Sequence, residues 1–279
     1  MDNLQFKKLL KKAIMYALLL MVTFIFIVPS IWIVGSSFNQ GTNIFSTTLI
    51  PKNPTLFHYK ELLFNTDYPL WFGNTLKIAT LNMLLSLVLT ISTAMAFSRF
   101  KFKGKKITMM TILILQMFPS MLAMMALYVI LNRFGLLNTH LGLVIVYATG
   151  QIPFNTWLVK GYLDAIPKSL DEAARIDGAS NITIVTKVVL PLAKPILVFV
   201  ALQNFIGPWF DFVLPQVILR SQDKWTLALG LFRWVADRAQ NNFTMFAAGA
   251  VLVTIPITIL WAIFQKHIVE GLAAGASKG

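Results

Sequence analysis

Cysteine is absent from the 279 residues, which removes disulfides, thiolate metal ligands and a thiol nucleophile from consideration. Charge is scarce as well: Asp, Glu, Lys and Arg together make up 13% of the chain, against roughly a quarter in soluble domains. Hydrophobic residues reach 57% instead, so a bilayer rather than water is the solvent that this composition fits. Acidic residues are the rarer of the two charge signs, 11 against 24 Lys and Arg. That excess would suit nucleic acid, but the cations stand in short blocks between apolar runs, the positive-inside pattern of a membrane protein, and no nucleic-acid partner is expected. His58, His140 and His267 are scattered without carboxylates at ligand spacing, so no metal site is expected. Neither the glycine-lysine loop that cradles nucleotide phosphates nor the paired-histidine helix of zinc peptidases occurs. The chain should bind no cofactor and catalyse no reaction itself.

Six apolar stretches approach or exceed the roughly 20 residues that a helix needs to cross the hydrocarbon core. They run at about Ala13 to Gly35, Asn74 to Phe97, Ile107 to Leu131, His140 to Val159, Val188 to Gly207 and Phe243 to Phe264. None alternates as barrel strands do, and in lipid each backbone polar group must be paired within its own segment, so all six are expected as helices. The first run is longer than a signal-peptide core and no A-x-A site follows it, which favours an uncleaved span.

Orientation follows from the cations in the connections. Lys7 to Lys12, Arg99 to Lys106, Lys160 to Lys187 and Lys266 fall on one side, and fewer fall on the other, among them Lys52, Arg133, Arg220 and Lys224. The expected architecture is therefore an all-α integral membrane protein of six transmembrane helices with both termini cytoplasmic. It has a short N-terminus at 1–12, a membrane domain at 13–267 and a tail at 268–279, with a long cytoplasmic loop at about 160–187.

That loop contains Pro167-Lys-Ser-Leu-Asp-Glu-Ala-Ala-Arg-Ile-Asp-Gly178. Ser169 and Glu172 have the spacing of a capping box, Asp171 suits a first helical turn, and Gly178 supplies a left-handed stop. A second helix should start near Ser180 and run into the fifth span. Ala173 and Ala174 would let another protein's surface approach closely; a solvated, well-capped connector is the alternative.

The stretch Glu172-Ala173-Ala174, three residues, Gly178, nine residues, then Val188-Val189-Leu190-Pro191 resembles the EAA loop of bacterial ATP-binding-cassette import permeases. Val188 stands where that family usually has Ile. The resemblance implies an importer permease fold and a coupling helix that seats in a cleft of a cytoplasmic ATPase, with Glu172, Ala173, Ala174, Gly178, Leu190 and Pro191 as the ATPase-coupling residues. It extends to carbohydrate permeases through Asn74-Thr75-Leu76, Arg99-Phe100 and Ile176-Asp177-Gly178-Ala179-Ser180. The tail from Gly271 is similar to that of the smaller membrane subunit of maltose and maltooligosaccharide transporters. After the fifth span the chain reads Trp209-Phe210-Asp211-Phe212, where the family often has Trp-Asn-Asp/Glu-Phe.

The partners so implied are a second homologous permease, two ATPase subunits that bind the ATP and Mg, and an extracytoplasmic sugar-binding protein met near Arg238, Ala239, Gln240 and Asn241. The site of action would be the bacterial cytoplasmic membrane, crossed several times, and the cargo a sugar, maltose or a maltooligosaccharide. An importer of the same class for another small solute, or an ion-coupled carrier acting alone, is the alternative. Against the carrier, no Asp, Glu, Lys or Arg falls near the middle of a span. Polar residues inside spans are costly unless they face a partner helix or a wet path, which makes Gln116, Gln151, Asn155, Gln203 and Asn204, with Trp209, candidates for the translocation path. The competing role for such amides is hydrogen bonding between packed helices. Six methionines from Met109 to Met125 read as adaptable packing rather than metal ligands. Pro119, Pro153, Pro191, Pro195 and Pro256 should bend or end spans.

Overall fold

The computed structural model describes the backbone of residues 3–41, 49–236 and 242–276, and every regular element among them is helical. In chain order these are α1 (Asn3–Ser37), α2 (Phe57–Asn65), α3 (Tyr68–Arg99), α4 (Lys105–Gln116), α5 (Ser120–Arg133), α6 (His140–Ala165) and α7 (Ser169–Ile176). There follow α8 (Asn181–Thr183), a π-helical turn at Ile184–Val189, α9 (Leu190–Leu192), α10 (Lys194–Phe210), α11 (Val213–Ile218), a 3₁₀ turn at Gln222–Lys224, α12 (Leu227–Ala236) and α13 (Phe243–Ala276). Contacts divide the chain into two units, residues 1–67 with 231–255 and residues 68–230 with 256–279.

In the first unit α1 is predominantly apolar beyond Lys12, and its most apolar eighteen-residue window buries nothing within the chain. Its apolar part, Lys7–Ser37, would extend about 46 Å at 1.5 Å per residue, enough to cross a core of roughly 30 Å. The end of α1 is tied down by Ser37 Oγ and Tyr59 Oη at 2.6 Å, by His58 Nε2 against the Asn39 carbonyl at 3.0 Å, and by Thr244 Oγ1 donating to the Gly41 carbonyl at 2.6 Å. Gly35 is required by close approach, since a Cβ there would lie 2.0 Å from the Leu49 carbonyl oxygen.

The second unit is built on α3, which packs against α6 and α10. Down one side of α3 run Thr75, Ala79, Asn82, Ser86, Thr90 and Ala94, all buried and spaced by three or four residues. Small side chains at that spacing let backbones approach closely where lipid supplies no hydrophobic drive for helices to associate. Asn82 Nδ2 donates to the Asn204 carbonyl of α10 at 2.6 Å, and Ser86 Oγ to Asn82 Oδ1 at 3.2 Å. One end of α3 holds the 222–230 segment. Trp71 Nε1 donates to the Gln222 carbonyl, Asn74 Nδ2 to the Asp223 and Trp225 carbonyls, and the Leu227 amide to Thr75 Oγ1.

Two expected spans are not continuous. The third divides into α4 and α5 at Met117–Pro119, and Pro119, extended at φ −61°, ψ 115°, starts α5 instead of continuing α4. In place of one helix from Ser180 into the fifth span, the chain passes through α8, the π turn and α9, then bends by 81° before α10. Pro191 has no N–H to return to the Lys187 carbonyl, and Pro195 has none for Pro191, so two rungs of the ladder are missing on either side of Ala193. Among the described residues, three helices are long and apolar enough to cross a membrane, or up to five if each bent pair makes one span.

Candidate functional site

Helix α7 begins one residue earlier than the capping-box spacing implies. Lys168 is its N-cap residue, already helical at φ −67°, ψ −21°, and no side chain caps the end. Pro167 fixes the entry, so that its carbonyl accepts from Leu170 N and the Lys168 carbonyl from Asp171 N and Glu172 N. Ser169 therefore lies inside the first turn, where its side chain cannot take up the N-cap position, and the expected Ser169–Glu172 box does not form. The other end matches expectation. Gly178 has φ +83°, its amide donates to the Arg175 carbonyl at 3.0 Å, and the Ala179 amide donates to the Ala174 carbonyl at 2.9 Å, a Schellman stop. Ser180 then caps α8, accepting from the Thr183 amide at 3.2 Å.

Asp171 has a partner that the local sequence does not reveal. Its Oδ2 lies 2.8 Å from Nε of Arg99, the last residue of α3, with side chains 12% and 7% exposed. The Arg99 Nη1 and Nη2 atoms each reach the Ile166 carbonyl at 3.4 Å. Beside this pair Ser98 Oγ donates to Asp164 Oδ1 at 2.7 Å, and Lys160 Nζ donates to Asp164 Oδ2 at 2.5 Å. Partial burial pushes the Asp164 carboxyl up, but the bonds from Lys160 and Ser98 and the charges of Lys160 and Lys105 outweigh it and hold it below the usual carboxylate range.

Ala174 and Ala179 pack against the buried cluster that includes Leu163, Ile184, Val189 and Ala193, whereas Glu172, Ala173 and Gly178 are exposed. Ile176 is 87% exposed and Ile182 77%. Leu190 is half-buried at the end of the π turn, and Pro191 is exposed.

A cavity of about 820 Å³ opens between α4, α5, α6 and α11. Gln116, Gln151, Tyr147 and Asp211 supply polar groups to it, and Met121 and Met124 are among its apolar walls. Tyr147 Oη donates to Asp211 Oδ2 at 2.8 Å, while Asp211 Oδ1 accepts from the Val213 and Leu214 amides at 2.9 and 3.3 Å. The candidate path residues thus separate into groups. Gln116 and Gln151 share the cavity. Gln203 is exposed on α10 and lies outside its lining. Asn204, 1% exposed, gives its Nδ2 to the Val200 carbonyl at 2.7 Å, and Asn155 is buried on α6. Trp209 is buried edge-on to Phe72, ring centroids 5.0 Å apart. Arg238, Ala239, Gln240 and Asn241 lie outside the described residues.

Sequence reasoning missed Asn138, which has φ 59° in the turn between α5 and α6. Its Oδ1 accepts from the Arg220 and Ser221 amides at 3.0 and 3.1 Å, and its Nδ2 donates to Ser221 Oγ at 2.8 Å. The available signal was a Gly-x-x-Asn-Thr-His turn, with Asn tolerating the left-handed region and Thr139 capping α6.

This fold is shared with solved importers. It superposes with a TM-score of 0.82 on a chain from the crystal structure of a bacterial ABC transporter involved in the import of the acidic polysaccharide alginate. The match covers 94% of this chain and 98% of that one at 24% identity. A chain of the inward-facing MetNI methionine ABC transporter gives 0.54 at 20% identity, covering 71% of this chain and 93% of that one. Residues 86–273 match the model of the binding-protein-dependent transport system inner membrane components, and the chain belongs to that family of membrane permeases. It is 43% identical to the galactooligosaccharides transport system permease protein GanQ of Bacillus subtilis over 99% of both chains. To the maltodextrin transport system permease protein MdxG of the same organism it is 38% identical, over 99% of this chain and all of that one. To the maltose/maltodextrin transport system permease protein MalG of Escherichia coli it is 35% identical over 95% of each.

Proposed function

We propose that this chain forms half of the translocation path of an ATP-driven importer for an oligosaccharide. A second homologous permease completes the path, two cytoplasmic ATPase subunits hydrolyse the ATP, and an extracytoplasmic binding protein delivers the sugar. Six spans in the bacterial cytoplasmic membrane fit this reading if α1, α3, the α4–α5 pair, α6, the bent segment ending in α10, and α13 each cross once, with both termini inside. Helix α7 then faces the cytoplasm as the coupling helix, through Glu172, Ala173, Ala174 and Gly178, with Leu190 and Pro191 passing its motion into α10. Arg238 to Asn241 are the proposed contact for the binding protein.

The observation that carries the reading is the surface of α7. A loop outside the bilayer has no lipid to cover it, yet Ile176 and Ile182 stand almost fully exposed beside a rigid, Schellman-stopped helix. A docked protein surface covers such side chains. Sugar as cargo is supported by relatives named for galactooligosaccharide and maltodextrin transport. The cavity suits hydroxyls for a separate reason: Gln116, Gln151 and Tyr147 both donate and accept, and no Lys or Arg is among its lining residues to meet an anion.

Glu172→Lys and Ile176→Ser test the docking reading. Each should lower the amount of ATPase recovered with the permease from detergent, and with it oligosaccharide uptake into vesicles. Because no capping box forms, Glu172→Lys should cost the isolated helix only the first-turn charge, about 0.3–1 kcal/mol, so lost recovery would report on the contact rather than on unfolding. Unchanged recovery and uptake in a normally inserted protein would leave α7 as a plain connector.

A further inference from the structure

Helix α7 is joined by the chain to α6 on one side and to the π turn on the other, but α3 has no covalent route to it except through α4, α5 and α6. Arg99 bridges this gap with an ion pair, beside the packing of Ala174 on a buried cluster that includes Ala94 and Met95 of α3. The Arg99 side chain, 7% exposed, sits where α3 ends, with Nε 2.8 Å from Asp171 Oδ2 of α7 and both terminal nitrogens towards the carbonyl of Ile166, the C-cap residue of α6. The neighbouring residue Ser98 grips Asp164 on the last turn of α6. One helix end thus holds the α6–α7 connection at three successive points: Asp164, Ile166 and Asp171.

We propose that Arg99 is a positioning residue that makes α3 move with the coupling helix. Displacement of α7 is thereby delivered to the α3 stripe from Thr75 to Ala94, and through the Asn82–Asn204 hydrogen bond to α10, as well as along the chain. This rests on the reading of α7 as the ATPase-docking element.

Three features of the site support the role. A buried ion pair contributes little net stability, because desolvating two charges roughly offsets their attraction, so its worth lies in fixing one geometry. Asp171 is in the first turn of α7, where the helix dipole already favours a carboxylate, so Arg99 is not needed to make Asp171 tolerable there. Arginine is also suited to the position because its planar fork engages a carboxylate and a carbonyl together, which a lysine ammonium on a single flexible stem does not do with the same rigidity.

The test uses the full importer reconstituted in vesicles, with three readouts: ATPase recovered with the permease, ATP hydrolysed, and sugar taken up. Arg99→Lys keeps the cation but lets go of one of its two partners. It should leave recovery at the wild-type level while sugar delivered per ATP falls about fivefold or more, the usual lower range for a coupling between sites. Asp171→Asn keeps the shape of the helix and should give the same split. Exchanging the two residues, Arg99→Asp with Asp171→Arg, should regain part of the lost coupling, since the pair is restored although the Ile166 contact is not. The proposal is overturned if Arg99→Lys and Asp171→Asn, both inserting normally, deliver sugar per ATP as the wild type does. It is also overturned if they lower recovery and transport in equal measure, as a folding defect would. Failure of the docking reading looks different: Glu172→Lys and Ile176→Ser would then leave ATPase recovery unaltered.

Discussion

At the scale of the residue, Gly178 illustrates how a position can be demanding for one reason only. Its φ of +83° excludes most side chains, yet a Cβ built there meets no atom within 4 Å. Alanine would therefore pay only for the backbone, about 1–2 kcal/mol, whereas asparagine, which visits the left-handed region more readily, pays less. Gly178→Asn should retain more ATPase recovery and uptake than Gly178→Ala. Equal losses would mean that the partner, not the turn, needs the empty space. Asp171 teaches the complementary lesson. Its place in a first helical turn was legible in the local sequence, but its ion partner lies on a helix that ends at Arg99, and nothing in the pattern around either residue pairs them.

At the scale of the element, helices were legible where one physical cause acted alone. Continuous apolarity fixed the existence of α1, α3, α6 and α13, and in the structure Thr139 caps the start of α6 at His140. Breaks were harder, because a proline in an apolar run is equally compatible with a kink that continues the span and with a sharp turn. The prolines at 191 and 195 act together, and the 81° bend is held by the burial of Val189, Ala193 and Ile196 around it. The capping box failed for a related reason: Pro167 had already set the helix going before Ser169. Elements are also joined by turns, and Asn138 is the clearest case. Replacing it with alanine loses hydrogen bonds to two backbone amides and puts a Cβ residue at φ 59° without an amide side chain to bond locally. At about 1 kcal/mol for each bond and a similar cost for the backbone, Asn138→Ala should destabilise the protein by about 2–4 kcal/mol. Asn138→Asp, which keeps the acceptor, should lose less, and thermal unfolding of the detergent-purified protein in the two variants measures the difference.

At the scale of the whole molecule the solvent changes along the chain, and the same residue type acquires opposite roles. Amides within apolar runs were expected to mark a wet path or to bond between packed helices; Asn204 and Asn155 are buried, whereas Gln116 and Gln151 line a cavity. The chain has no cysteine, so single cysteines can report on access without background. Gln151→Cys and Gln116→Cys should react with a small hydrophilic thiol reagent at a rate that changes with the nucleotide state of the importer. Asn204→Cys should stay protected. Protection of all three in every state would place the sugar elsewhere, and rapid labelling at Asn204 would mean that α3 and α10 separate during transport.

The sequence by itself determined the solvent, the helical class, and the short helix that follows Pro167 and stops at Gly178. Each depends on composition or on residues within a few positions of one another, where the local energy is large enough to decide. Only the tertiary structure decided which polar residues are packed and which are exposed, where the two bent spans turn, and that Arg99 reaches Asp171. Those outcomes depend on which faces meet, and a face is chosen by the summed packing of residues such as Asn82 and Asn204 that stand far apart in the chain.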